Sequence, residues 1–164
     1  MIPKSLDRPA AGLLVVALIA LLALVGASNA GGGDHAHQHT ADDAQAAATL
    51  TVRKTRFGTV LFDGRGRVLY GFTRDRRGGP SRCYGACAEA WPVYFAGRTL
   101  RAGKGVKRSL LGTTRRRDGR RQVTYNGWPL YYYVDDGVGQ ILCQNVDEFG
   151  GLWLVVRPGG QLVR

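Results

Sequence analysis

The chain has 164 residues, of which 23 are lysine or arginine and 12 are aspartate or glutamate, so its formal net charge is +11. A chain of this length supports one modest hydrophobic core rather than two independent domains. Its three histidines all precede residue 40. No histidine further along is available as a general base, which argues against a Ser-His-Asp or Cys-His hydrolase.

Residues 1–30 have the composition of an export signal. Lys4 and Arg8 precede an uncharged apolar run over residues 10–27, and a small-x-small cleavage site ends at Ala30. We predict a signal peptide that is cleaved after Ala30. An uncleaved signal anchor is the alternative, because the run reaches the lower limit of the roughly 17 to 25 residues that span a bilayer. Both predict a secreted or extracytoplasmic protein.

Residues 31–48 predict a disordered tether rich in histidine, aspartate and alanine, because they lack periodic apolar residues. The tether contains His35, His37 and His39, which are weak candidate ligands for copper, nickel or zinc. A flexible site of this kind loses entropy when it is ordered around a metal. We therefore expect a polar spacer, and no cofactor.

Residues 49–164 predict a single, mainly β domain with one short helix, because short runs of Val, Thr and aromatic residues alternate with glycine turns. We expect an antiparallel sheet. Asn126-Gly127 predicts a two-residue type I′ hairpin, since both residues tolerate positive φ, and Pro92 ends the helix predicted over residues 84–90. The predicted strands cover residues 50–55, 59–62, 68–72, 110–114, 122–125, 128–134 and 152–156.

A short motif occurs twice and indicates two copies of one strand-turn-strand unit. Each copy has a tyrosine, an aromatic residue two positions later, and an aspartate three positions after that. The motif residues are Tyr70, Phe72 and Asp75 in the first copy, and Tyr131, Tyr133 and Asp136 in the second. We place the repeats at about residues 59–95 and 122–156, as two halves of one fold.

Further strings accompany the motif: Ser81-x-Cys83-x-Gly85-x-Cys87 followed by Trp91-Pro92, the segment 123–131, and Phe149-Gly150-Gly151-x-Trp153. Together these features resemble the secreted-repeat family of predicted bacterial lipoproteins, which is defined by a Tyr-x-(Phe/Trp/Tyr)-x-x-Asp motif. The resemblance runs from about residue 50 to residue 156 and implies an exported repeat protein whose function is not established. A lipoprotein needs a cysteine just after its signal sequence. This chain has none there, so we expect no lipid.

The three cysteines leave several pairings open in an oxidising compartment. Cys83 and Cys87 could pair with each other, either could pair with Cys143, or all three could be free thiols. A structural disulfide is favoured over a redox-active one, because redox enzymes place their cysteines as Cys-x-x-Cys, one residue closer together than Cys83 and Cys87.

Asp75 and Asp136 have two interpretations. As a pair related by the repeat, they could form a catalytic or cation-binding site. As structural residues, they would accept hydrogen bonds where their strands end. We favour the structural interpretation, and we expect hydrogen bonds from Tyr70 to Asp136 and from Tyr131 to Asp75 across a pseudo-twofold axis, since buried phenol groups need partners.

Basic residues form three clusters in predicted loops, and we expect several of these residues to converge on one end of the sheet as an anion-attracting face. The alternative is that they are solvated loop residues that keep a small domain soluble. Arg115, Arg116 and Arg117 are the candidate anion-binding residues. The clusters are Arg74, Arg76, Arg77 and Arg82; Arg98, Arg101, Lys104, Lys107 and Arg108; and Arg115, Arg116, Arg117, Arg120 and Arg121. Outside the cytoplasmic membrane, the available anions are lipid headgroups, wall polymers and acidic proteins rather than nucleic acid.

These features predict a non-catalytic binding or structural module of the cell envelope. Its expected partners are anionic envelope components or another envelope protein. The alternative is an extracytoplasmic thiol-redox or metal-handling protein that uses the cysteines and the histidine-rich tether.

Overall fold

A computed structural model describes residues 49–164. The predicted export signal and tether, with His35, His37 and His39, lie outside the described residues. Eight strands, one short α-helix and one 3-10 turn follow each other along the chain. They are β1 Leu50–Thr55, β2 Gly58–Asp63, β3 Tyr70–Phe72, α1 Ala86–Ala90, the 3-10 turn Arg108–Leu110, β4 Leu111–Arg115, β5 Arg121–Tyr125, β6 Trp128–Pro129, β7 Val146–Glu148 and β8 Gly151–Val155.

The predicted mainly β fold with two strand-turn-strand repeats and one short helix is confirmed. The strands form three small antiparallel sheets rather than one, with the orders β1-β2, β3-β8-β7 and β4-β5-β6. The hairpin between β5 and β6 turns at Asn126-Gly127, where φ is 50° and 78°. Both values lie in the left-handed region that this turn requires.

The two motif tyrosines form the junction between the repeats. Tyr70 and Tyr131 each donate a backbone N–H to the other's carbonyl, at 2.9 and 3.0 Å. Tyr70 also pairs with Val155 of β8, while Tyr131 pairs in the same antiparallel sense with Val93. Each tyrosine thus pairs with the downstream segment of the other repeat. The two halves are interlocked about a pseudo-twofold axis.

The strand predicted over residues 128–134 is wrong in its length, because β6 ends at Pro129. Proline has no N–H with which to extend the ladder. Leu130 donates its N–H to the carbonyl of Val123 at 3.0 Å, and the side-chain amide of Gln122 donates to the carbonyl of Leu130 at 2.9 Å. The chain then leaves β5 and continues into the pairing between Tyr131 and Tyr70.

Two further differences from the prediction, one in the helix and one in a strand, have local reasons. Helix α1 begins at Ala86 rather than Tyr84, because Gly85 has a φ of 56° and cannot belong to a right-handed helix. Strand β7 was not predicted, since two of its three residues are the exposed acids Asp147 and Glu148.

The buried hydrophobic residues form two clusters, and the larger one contains a stack of three rings. The ring of Trp153 lies 4.1 Å from that of Phe72 and 4.0 Å from that of Trp91, with interplanar angles of 5° and 3°. Trp91 and Trp153 come from different repeats, so the stack joins the halves. No helix among residues 49–164 is both long enough and apolar enough to cross a membrane.

Candidate functional site

Both predicted bonds between motif residues are present. The hydroxyl of Tyr70 donates to Oδ2 of Asp136 at 2.7 Å, and that of Tyr131 donates to Oδ2 of Asp75 at 2.6 Å. The other carboxylate oxygen accepts a backbone N–H in each case, from Leu142 to Asp136 at 2.9 Å and from Arg82 to Asp75 at 2.7 Å. The two motifs therefore fold into the same local structure.

The environment of the motif acids favours a structural role. Asp75 and Asp136 are only 4% and 5% exposed. Burial raises the pKa of both carboxyl groups, while the tyrosine and backbone donors act in the opposite direction. Each carboxylate uses both of its oxygens for protein donors, and the two acids share no donor. This arrangement differs from a catalytic dyad, in which two carboxyl groups share one proton.

The aromatic motif positions differ between the repeats. Phe72 is fully buried in the ring stack. Tyr133 is half-buried, and its ring lies 5.0 Å from Trp91 at an angle of 45°. The neighbouring Cys143 side chain, and after it that of Asp135, raises the pKa of the Tyr133 hydroxyl.

Of the pairings open in the sequence, the structure has the disulfide between Cys83 and Cys87, whose Cα atoms are 5.3 Å apart. Cys143 is free and half-buried. Burial raises the pKa of the Cys143 thiol, and nearby carboxylates act in the same direction. A thiol held in its protonated form is a poor nucleophile.

Tyr84 lies in the short loop that the disulfide closes, and its ring contacts two guanidinium groups. Arg116 lies 4.2 Å and Arg117 4.8 Å from the ring centroid. The hydroxyl of Tyr84 also accepts the backbone N–H of Arg117 at 3.2 Å. The disulfide loop therefore positions a cation-binding aromatic ring beside the β4–β5 turn.

Arg116 departs from the prediction that residues 115–117 are exposed loop arginines. It is only 5% exposed, and it donates to Ser81 Oγ at 2.6 Å, Gln122 Oε1 at 3.0 Å and the Cys83 carbonyl at 2.8 Å. Ser81 Oγ in turn lies 2.8 Å from the hydroxyl of Tyr131. Arg116 therefore extends the buried network of the first motif acid. Its neighbours Arg115 and Arg117 are exposed, as predicted.

A basic cavity of about 610 Å³ opens next to this network. We call it the arginine pocket. Its lining consists of Arg74, Pro80, Ser81, Arg82, Tyr84, Arg115, Arg116 and Arg117. No acidic residue of the described part lines it, and the buried carboxyl group of Asp75, which interacts with Arg82 and Arg116, offsets only part of the positive charge.

The predicted convergence of the basic clusters is only partly correct. The first and third clusters meet in the arginine pocket through Arg74, Arg82 and residues 115–117. No residue of the second cluster, over 98–108, lines it. From the third cluster, Arg120 instead lies over the ring of Phe95, and Arg121 bonds to the hydroxyl of Thr113.

A second cavity of about 540 Å³ adjoins the first. It shares Arg74, Arg82 and Tyr84 with the arginine pocket and extends past Ala86 to Phe149. The two cavities adjoin at these shared residues, and we call them together the groove. Sequence reasoning missed Tyr84 as a site residue. Its position between two cysteines four residues apart was the available signal.

Within residues 49–164, no group of three or more His, Cys, Asp or Glu side chains is placed to hold a metal ion.

We expect the native protein to contain one free thiol, that of Cys143, and one stabilising disulfide. The double variant C83S/C87S should lower the free energy of unfolding by roughly 2 kcal/mol, the chain-entropy value for so short a loop. Denaturant unfolding and free-thiol counting check this. Cys143→Ser is the matched control and should change stability by less than about 0.5 kcal/mol. An equal loss of stability in C83S/C87S and in Cys143→Ser would contradict the assignment of the disulfide to Cys83 and Cys87.

Comparison with known proteins gives a family and no closer relative. A family model described as a secreted repeat of unknown function matches residues 51–94 and 112–157. These two segments cover more than half of the chain, and each contains one complete copy of the motif. No curated protein and no solved structure matches the chain.

Proposed function

Since the chain belongs to this family of secreted repeats of unknown function, we propose that it is a non-catalytic module of the cell envelope that binds anionic envelope components. The arginine pocket carries this proposal. Five arginines line it, and the lining includes no acidic side chain of the described part.

The chemistry of the pocket suits phosphate or carboxylate groups. A guanidinium presents a planar fork of N–H donors that matches the oxygens of either anion. Among residues 49–164, the guanidinium groups of Arg82 and Arg115 have no hydrogen-bond partner. Their donors are free to contact a bound anion.

Two features support a binding role rather than catalysis. Both motif acids are buried, and their oxygens are used by tyrosine and backbone donors. The thiol of Cys143 has a raised pKa. Nothing among the described residues favours the alternative of a thiol-redox or metal-handling protein.

We expect the protein to bind isolated cell envelopes in a strongly salt-dependent way. Binding should weaken steeply between about 50 and 150 mM salt, where the Debye length falls to about 8 Å. The double variant R82Q/R115Q should bind about fivefold more weakly at the lower salt, because it removes two pocket charges. Sedimentation of the protein with the envelopes measures this.

R98Q/R101Q is the matched control. It removes the same charge from two exposed arginines that lie outside the pocket. If binding depends on the pocket, the control should lose less than about twofold. Equal losses in both double variants would mean that net charge alone drives adsorption. Salt-independent binding, or none at low salt, would refute the proposal.

A further inference from the structure

We infer that the groove formed by the two adjoining cavities binds a linear polyanion with a phosphodiester backbone and polyol linkers, rather than a single anion or a membrane surface. This inference rests on the proposed function and specifies its ligand. Three observations carry it: the volumes of the two adjoining cavities, the distribution of arginines between them, and the ring of Tyr84, which two arginines already contact.

The groove is too large for one anionic group. Its two parts have volumes of about 610 and 540 Å³ and share three lining residues. A single phosphate fills only a small part of either cavity. A chain of several units could follow the groove from Arg115 at one end to Phe149 at the other.

The charges are distributed along this path. Arg115 and Arg117 line only the first cavity, while Arg74 and Arg82 line both. Charges arranged in this way can contact successive phosphates of one chain. Once one phosphate is bound, the next phosphate of the same chain is held close to its arginine. Its effective concentration there is high, so each further contact strengthens binding.

Two arginine side chains of the groove already have protein contacts. The guanidinium of Arg117 lies 4.8 Å from the centroid of the Tyr84 ring. Arg74 donates to the carbonyl of Phe149 at 3.0 Å. Phe149 has a φ of 56° and is 38% exposed. Side chains that are already ordered lose less entropy on binding. The exposed ring offers apolar surface to the carbon atoms of a linker.

The shortage of free aromatic rings in the groove disfavours nucleic acid. Sequence-independent binding of single strands relies on successive bases that stack on free aromatic rings. Arg116 and Arg117 already contact the ring of Tyr84, at 4.2 and 4.8 Å, which leaves Phe149 as the one aromatic ring of the described lining that is open to a base. A polyol phosphate chain needs the charges but no such ring.

The scarcity of apolar side chains in the groove disfavours a membrane surface. Phe149 is the one exposed large hydrophobic residue among the described residues that line it. Adsorption to a bilayer uses basic side chains that project towards the headgroups, together with apolar residues that insert.

The test compares an oligomer of about ten glycerol phosphate units with monomeric glycerol phosphate, at equal phosphate concentration, by titration calorimetry on the purified protein. We expect the oligomer to bind at least about tenfold more tightly. The slope of log affinity against log salt should be about −3 for the oligomer, because each phosphate that is neutralised contributes roughly −0.7. R82Q should reduce the magnitude of this slope by the contribution of about one phosphate contact, roughly 0.7.

Ala86→Glu tests whether the chain crosses the second cavity. Ala86 is exposed and lines only that cavity. A carboxylate there should weaken oligomer binding about tenfold and monomer binding less than about threefold, since like charges in contact repel. Ala86→Gln is the matched control of nearly the same size and should bind both ligands as the wild type does.

Equal affinity for oligomer and monomer would overturn the polymer inference and leave the anion-binding proposal standing. Tighter binding to vesicles of phosphatidylglycerol, or to an oligothymidylate of equal charge, would overturn it in favour of a membrane or of nucleic acid. Binding to none of these anions would refute the proposed function as well.

Discussion

Arg116→Ala is expected to lower the free energy of unfolding by about 3 kcal/mol or more, whereas Arg115→Ala should change it by less than about 0.5 kcal/mol. The two residues are adjacent and carry the same charge. Arg115 is exposed, and Arg116 is buried with three acceptors around its guanidinium. Denaturant unfolding of the two variants measures the difference.

The large effect follows from the groups that the substitution leaves behind. Without the guanidinium, the Ser81 hydroxyl, the Gln122 side-chain carbonyl and the Cys83 carbonyl each lose a donor in a buried site. A buried polar group without a partner costs on the order of 1 to 3 kcal/mol. Alanine also leaves a cavity beneath the ring of Tyr84, which adds to the loss.

Arg117→Ala provides a second control. Its guanidinium also contacts the Tyr84 ring, at 4.8 Å, but the residue is exposed. We expect this variant to remain close to wild-type stability while the pocket binds anions more weakly. If Arg116→Ala were as stable as the two controls, the buried network would contribute little to the fold, and Arg116 would be free to serve as a ligand-binding residue.

The repeat made part of this fold predictable from the sequence. Two copies of one motif imply equivalent surroundings. The hydrogen bonds from the buried hydroxyls of Tyr70 and Tyr131 to Asp136 and Asp75 could therefore be predicted from the sequence alone. The Asn126-Gly127 turn was predictable for a local reason, because few other residue pairs accept positive φ at both positions. Both features depend on symmetry or on short-range geometry.

The role of Arg116 depends on long-range packing and was not predictable. In the sequence Arg116 stands between two other arginines, and a run of three arginines is typical of an exposed basic loop. Its burial depends on Ser81 and Cys83, which lie more than thirty residues away along the chain. The end of β6 at Pro129 was missed for a related reason, since residues 131–134 have strand-like composition but bond to backbone groups of the other repeat.

Asp75→Ala and Asp136→Ala are each expected to lower the free energy of unfolding by about 2 kcal/mol. Each variant leaves a buried tyrosine hydroxyl and a backbone N–H without their acceptor. Because the motifs are related by the pseudo-twofold axis, the two losses should be similar. The double variant should lose about 4 kcal/mol, a large fraction of the stability of a domain of this size.

Asparagine at these positions is the matched control. It keeps the size and one acceptor oxygen but cannot ionise, so Asp75→Asn and Asp136→Asn should cost less than the alanine variants. Burial raises the pKa of both carboxyl groups above their ordinary value of 3.8. The folded state therefore binds more protons than the unfolded state between that value and the raised pKa. The wild type should lose stability relative to the asparagine variants as pH rises through this window.

The structural interpretation of the motif acids depends on this result. If the acids serve the fold, both alanine variants should have a lower melting temperature in the absence of any ligand. Asp136 does not line the groove, so Asp136→Ala should leave anion binding by the protein that remains folded unchanged. The opposite outcome is a double alanine variant with wild-type stability that no longer binds cell envelopes. That result would identify Asp75 and Asp136 as functional residues, and the family motif would then mark a binding site rather than the junction of two interlocked repeats.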